Sequence, residues 1–235
     1  MTLHGVEALC FDVFGTVVDG RSSVAREAEA ALAPRGASLD WHAFADAWRA
    51  RYQPAMEEVR TGRRPFVRLD VLHRENLEAT LADFGVTGLP EAVLADLNLA
   101  WHRLDPWPDV VEGLARLRQR HILAPLSNGN VRLMVDLARR GGLPWDAILG
   151  AEVARAYKPS PEAYLRSAEL LDLPPSACVM VAAHNGDLAA ARAVGFRTAF
   201  VPRPLEHGPG QTTDLEPAWD LVAGDFGELA ERLGC

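Results

Sequence analysis

At 235 residues the chain is long enough for one large domain, or for a core that carries an inserted subdomain. A formal net charge of −8 argues against a nucleic-acid or anionic-membrane partner, since both favour a basic face, but a small anionic substrate can still sit in a local cationic pocket. No apolar run approaches the roughly 18 residues needed to span a bilayer, no basic-then-apolar leader opens the chain, and the three cysteines lack paired spacing. A reduced, cytoplasmic setting is the expectation, with Cys10 and Cys178 as small core residues.

In chain order, Val6–Asp12 reads as a buried strand that ends on a carboxylate and turns at Gly15-Thr16. The next strand-like runs are Ile122–Leu126, Cys178–Ala182 and Thr198–Val201, continuous in apolar character rather than alternating. Such strands suit a parallel sheet covered by helices on both faces. Helical periodicity over Val110–Gln119, Val131–Arg140, Pro161–Leu171 and Leu188–Val194 supplies those layers, and Asp225–Leu233 reads as a closing helix. Gly208, Pro209, Gly210 and Pro217 mark segment 206–217 as a loop.

Residues 18–106 break the alternation. Trp41, Phe44, Ala45, Trp48, Tyr52, Ala55, Met56 and Val59 recur at three- and four-residue intervals, which predicts one amphipathic helix. Leu69, Leu72, Leu77, Leu81 and Phe84 predict another, ended by Gly85. A third runs over Val93, Leu97, Trp101 and Leu104, opened by Pro90 and stopped before Pro106. The predicted fold is therefore α/β: a doubly wound parallel-sheet core over 1–17 and 107–235, carrying a strand-free helical cap over 18–106.

Ligands of open α/β sheets bind beyond the carboxyl ends of the strands. Four polar clusters fall at such ends: Asp12 with Thr16; Ser127-Asn128-Gly129; Lys158 before Pro159; and His184 with Asp187. Each has a plain structural reading, as a turn former, a solvated charge or a helix cap. Their joint order along the chain is what favours a site. Had position 14 been Asp, the first cluster would read DxDxT, the signature of an aspartate-nucleophile phosphatase with a second Asp as general acid. Phe14 cannot transfer a proton, which points to a leaving group that needs none.

With these four clusters the chain resembles the haloacid dehalogenase superfamily, and within it the type II (S)-2-haloacid dehalogenases, over nearly its whole length. The carrying runs are Phe11-Asp12-Val13-Phe14-Gly15-Thr16, Leu126-Ser127-Asn128-Gly129, Lys158-Pro159 and the Asp187 region. In the resemblance the aromatic at 14 separates dehalogenases from phosphatases, Arg49 takes the halide-binding position, and Tyr164 takes that of the active-site Tyr. The best-known pattern has Ser and Asn where this chain has Ala182 and His184, so the hydrolytic arrangement is altered.

The resemblance implies attack by Asp12 on the halogen-bearing carbon, halide stabilised by Arg49, and hydrolysis of the resulting ester by water. Asp187 is expected to activate that water, with Lys158 tuning its charge and His184 as the alternative base; His184 could equally orient the water or meet the halide. Thr16, Ser127 and Asn128 would hold the substrate carboxylate, and Tyr164 would steady Lys158 or Arg49. Phe66, Trp48 and Tyr52 could line an apolar pocket, beside Phe14. No cofactor and no metal are expected, because Asp12 and Asp187 are a thin donor set for a hard cation. The expected partner is a small anionic haloacid, with no nucleic acid or membrane, and a homodimer is compatible with apolar cap faces. A superfamily phosphatase and an idle binding protein of the same fold are the competing readings.

Overall fold

The computed structural model describes residues 3, 5–209 and 219–235. The chain opens with β1 (Ala8–Phe11) and a short β2 (Val18–Asp19), then runs through α1 (Gly20–Leu32), α2 (Trp41–Ala50), α3 (Tyr52–Arg60), α4 (Leu69–Asp83) and α5 (Glu91–Asn98). It returns through β3 (Asp105–Pro106), α6 (Val110–Leu117), β4 (Ile122–Ser127), α7 (Val131–Gly141), β5 (Leu149–Gly150) and α8 (Ala151–Ala154). The last part holds α9 (Pro161–Leu170), β6 (Cys178–Ala182), α10 (Asn185–Ala193), β7 (Arg197–Phe200), β8 (Leu221–Val222) and α11 (Phe226–Arg232).

Six strands form one parallel sheet in the order β5-β4-β1-β6-β7-β8. β1 lies between β4 and β6, with Leu9 level with Leu123 on one side and Val179 on the other. Its residues are all buried and alternate between two cores: Leu9 and Phe11 face one, Ala8 and Cys10 the other. That two-sided burial is why the strand reads as an unbroken apolar run. It also delivers the next residue, Asp12, to the carboxyl edge of the sheet's middle.

The stretch from 18 to 106 is not free of strands. β2 and β3 pair antiparallel at its two ends, Val18 with Pro106 and Asp19 with Asp105, so the excursion closes on a clasp of two residues per strand. Asp19 then caps α1, a helix for which no sequence expectation was formed, by accepting from Ser22 N at 3.0 Å. The single helix expected from Trp41 to Val59 is two helices that meet at Arg51. Pro54 supplies the reason: lacking an N–H, it cannot bond the carbonyl four residues back, and the chain changes axis. The apolar face keeps its phase across the break, so periodicity alone does not register it. The third expected helix ends at Asn98 and continues as a tighter turn over 99–102. The loop expected at 206–217 is described only to residue 209, where it is turn; the remainder lies outside the described residues.

No helix among the described residues is long and apolar enough to cross a membrane. All three cysteines are free, with Cys10 and Cys178 buried.

Candidate active site

Asp12 leaves β1 with its amide donating to Val181 O at 3.0 Å, which continues the ladder by one residue. The chain then folds back tightly: Gly15 N donates to Val18 O at 3.1 Å, and Gly15 sits at φ +87°. A side chain there would meet a second obstacle, because an added Cβ would lie 2.0 Å from Glu206 Oε1. Glycine is thus required for conformation and for space.

The turn points Thr16 back at the carboxylate. Thr16 Oγ1 donates to Asp12 Oδ2 at 2.8 Å and accepts from Ala183 N at 2.9 Å. Lys158 Nζ donates to Asp12 Oδ1 at 3.0 Å and also to Asp187 Oδ2. Its backbone amide is tied to Asn128 Oδ1 at 2.8 Å. Asp187 lies in the first turn of α10, and its Oδ1 accepts from Tyr164 OH at 2.6 Å. His184 Nδ1 meets Asp12 Oδ2 at 3.0 Å, while its Nε2 lies 2.9 and 3.0 Å from the two oxygens of Glu206.

These contacts set the charges. Burial opposes the charge on Asp12, but Lys158, His184 and Thr16 outweigh it and hold the carboxyl far below the usual carboxylate range. Burial would strip His184 of its proton, yet hydrogen bonds to Asp12 and Glu206 push its pKa up to about 10. Burial likewise opposes the Lys158 ammonium and is overcome by Asp12 and Asp187. For Asp187 burial wins: with Asp12 nearby, its pKa is raised despite Lys158. Lys158 and His184 are thus held as cations beside an Asp12 carboxylate, while Asp187 is displaced towards its protonated form.

A cavity of about 470 Å³ opens over Asp12, lined by Phe14, Arg49, Tyr52, Asn128, Lys158 and His184. Arg49 comes from the last turn of α2, and its guanidinium carbon lies 4.0 Å from the Tyr52 ring centroid and 5.9 Å from that of Phe14. Arg49 Nη1 is buried and has no hydrogen-bond partner among the described residues. An unmade hydrogen bond of this kind costs about 1–3 kcal/mol or more for a charged group, a cost that a bound anion removes. A second, small space of about 30 Å³ also borders Phe14 and Arg49 and is walled by Trp101 and Glu206.

The structure therefore gathers Asp12, Phe14, Arg49, Asn128, Lys158, Tyr164, His184 and Asp187 around one cavity. Other expectations need correction. Thr16 and Ser127 are fully buried and do not line it; Thr16 serves Asp12, and Ser127 Oγ accepts from Gly129 N at 3.1 Å. Tyr164 holds Asp187, not Lys158 or Arg49. Phe66 packs on Tyr157 and under Arg155, away from the cavity, because the chain between α3 and α4 carries it outward. Trp48 is buried inside the helical layer, against Phe44 and Trp101, so of the three candidate cap aromatics only Tyr52 meets the cavity. Both ring nitrogens of His184 are engaged, which leaves neither for a halide.

Sequence reasoning missed Glu206 entirely. It also missed Gln53, Glu57 and Arg60 at the cavity rim, where Arg60 Nη1 donates to Lys158 O at 3.0 Å. Helical spacing of Gln53, Glu57 and Arg60 from Arg49 was a usable signal for the rim. Nothing local marks Glu206.

The chain matches the haloacid dehalogenase-like hydrolase family over residues 6–195. It is 31% identical to an (S)-2-haloacid dehalogenase of Xanthobacter autotrophicus, over 84% of this chain and 76% of that protein. Among solved structures it is similar to the defluorinating L-2-haloacid dehalogenase Rha0230, at 47% identity and a TM-score of 0.96, covering 100% of this chain and 99% of the other. The L-2-haloacid dehalogenase PA0810 is similar at 48% identity and a TM-score of 0.93, covering 97% of this chain and 99% of the other.

Proposed function

The chain belongs to the haloacid dehalogenase-like hydrolase family, and we propose that it hydrolyses short 2-haloalkanoic acids, turning an (S)-2-haloacid and water into an (R)-2-hydroxy acid and halide. The observation that carries this reading is one cavity lined by a charged Asp12, by Arg49 with its unpaired Nη1, and by apolar Phe14, whose ring centroid lies 5.9 Å from the Arg49 guanidinium carbon. A leaving halide is already a stable anion. It needs a cation to receive it and no acid to protonate it, and the cavity offers that combination.

In this reading Asp12 displaces halide from the face opposite Arg49, inverting the carbon and forming an ester. Alignment is the main lever, since fixed geometry is worth effective molarities of about 10⁵ M or more. Asn128 receives the substrate carboxylate, Tyr52 and Phe14 wall the apolar side, and Lys158 with Tyr164 places Asp187 beside the ester. Asp187 takes the proton of the hydrolytic water, in keeping with its raised pKa. Residues 1–17 and 107–235 act as the core and 18–106 as a cap that brings Arg49 to the site. The reaction runs without metal: Lys158 Nζ already bridges Asp12 and Asp187, and His184 and Thr16 fill the other Asp12 oxygen. Free, buried cysteines suit a cytoplasmic enzyme.

Likeness to a defluorinating enzyme brings fluoroacetate into the substrate set. The test is ion-selective detection of halide from monohaloacetates and both enantiomers of 2-chloropropionate, with and without EDTA. Release from the (S) enantiomer and haloacetates, unaffected by EDTA, is the expected result. Silence across the panel overturns the proposal, and p-nitrophenyl phosphate hydrolysis restored by Mg²⁺ replaces it with a phosphatase.

A further inference from the structure

The two oxygens of Asp12 are not equivalent. Oδ1 accepts one hydrogen bond, from Lys158 at 3.0 Å, whereas Oδ2 accepts from Thr16 at 2.8 Å and meets His184 Nδ1 at 3.0 Å. Oδ1 therefore keeps more spare acceptor capacity on a residue that lines the cavity, and Oδ2 is held between two donors. If Oδ1 attacks the substrate, Oδ2 becomes the carbonyl oxygen of the ester. Its two neighbours then sit at the separation from a developing oxyanion that such donors require, about 2.7–3.1 Å.

We propose that Thr16 and His184 form the oxyanion hole for hydrolysis of the Asp12 ester, and that Glu206 is a positioning residue that keeps His184 a cation facing Oδ2. The inference rests on the dehalogenase reading and adds to it a division of labour between Oδ1 and Oδ2. Glu206 grips Nε2 with both oxygens, and its side chain is only 10% exposed. The loop that carries it is fastened to the nucleophile turn. Arg203 Nε donates to Thr16 O at 2.8 Å while its other nitrogens clamp Asp109 at 2.7 and 3.0 Å, and Glu206 N closes the turn on Arg203 O. Gly15 leaves the room that Glu206 occupies.

The chemistry balances as follows. Water oxygen bonds to Asp12 Cγ as Asp187 takes one of its protons, and the carbonyl electron pair moves onto Oδ2. The pair then returns, the Cγ–Oδ1 bond breaks, Oδ1 departs with the substrate carbon as an alkoxide that takes the proton from Asp187, and the water oxygen takes its place in Asp12. Asp12 is left as a carboxylic acid that ionises to solvent, the one proton that dehalogenation releases overall. His184 keeps its proton throughout. Forming the ester removes the Asp12 charge that helps hold this proton, so Glu206 is what retains it. Of the other charged groups nearby, Lys158 is engaged with Asp12 and Asp187, Arg49 with the aromatic wall and Arg60 with Glu57 at the rim, while His207 Nε2 lies 3.8 Å from Glu206 Oε2.

The test is rapid-quench mixing of enzyme with (S)-2-chloropropionate, following ester by intact mass and chloride in parallel. His184→Ala should release one equivalent of chloride per site and then stall, with ester decay slowed about 100-fold. Glu206→Gln, which keeps an acceptor but no charge, should slow decay about 10-fold at neutral pH and move the alkaline limb of kcat towards neutrality. Ester decay within about twofold of wild type in His184→Ala overturns the proposal, as does loss of the chloride burst itself, which would place His184 in the displacement step. An unshifted alkaline limb in Glu206→Gln overturns the role of Glu206. Absence of chloride release by the wild-type enzyme is a different failure and counts against the dehalogenase reading.

Discussion

The two walls of the cavity treat polar groups in opposite ways. On the sheet side, Asp12, Lys158, Asp187, His184 and Glu206 form an unbroken chain of hydrogen bonds, closed at one end by Tyr164. On the helical side, Arg49 Nη1, both nitrogens of His73 and Trp101 Nε1 are buried with no partner among the described residues. His73 lies stacked 4.4 Å from Trp101, and burial drives its pKa down to about 3, so it is a neutral member of an aromatic layer. The satisfied wall fixes a nucleophile in one geometry and one charge state. Of these unpaired groups only Arg49 lines the cavity and holds a donor in reserve for an anion, whereas His73 and Trp101 do not line it, and the layer accepts a stability cost.

That contrast can be broken in graded ways. Asp12→Asn attacks the satisfied wall at its centre and should lower halide release by about 10⁴-fold or more in a steady-state assay. It also leaves Lys158 and His184 each short of a carboxylate, so a fall in melting temperature should accompany it. Arg49→Ala attacks the reserve wall. It should lower kcat/KM by about 10²–10³-fold, yet leave unfolding free energy within about 1 kcal/mol, because the lost contact with Tyr52 is offset by removal of an unpaired buried N–H. Equal losses of activity and stability in that variant would erase the distinction between the walls.

Gly15→Ala tests the space between nucleophile and loop. With a Cβ directed 2.0 Å from Glu206 Oε1 and φ at +87°, it should cost about 1–3 kcal/mol in denaturant unfolding. The smallest effect is one of pH. His184 has a raised pKa, so its stabilising contribution is complete below the ordinary imidazole value of about 6.5 and fades as pH rises through about 10. The melting-temperature gap between wild type and His184→Ala should therefore be widest below neutrality and close towards pH 10. A gap that widens with rising pH would contradict the charge assigned to His184.

Much of this was legible in the sequence, and for local reasons. β1 and β6 are short apolar runs bounded by turn residues, and each reads correctly because strand, boundary and following polar residue are contiguous. Asp12, His184 and Asp187 were found as polar residues just past strand ends, while Lys158, which follows α8, was found as a Lys before a Pro turn whose place in the joint order of the four clusters singled it out. The break at Arg51 was present in the sequence as Pro54 and was outweighed by an apolar pattern that runs through it. Phe66 was misplaced because an aromatic residue near the site in sequence carries no information on the direction in which its loop leaves the helix.

The sequence by itself determined the central strands β1, β4 and β6, the carboxylate at position 12 and the missing acid at position 14, since each depends on residues adjacent in the chain. Only the tertiary structure decided which groups touch which oxygen of Asp12. Positions 12, 158, 184 and 206 meet because four separate connections end at one edge of one sheet. Glu206 is the clearest case: its neighbours in sequence spell a turn, and its chemistry comes wholly from the imidazole 22 residues away. Contacts of that kind are set by packing of the whole core, which no short window of sequence contains.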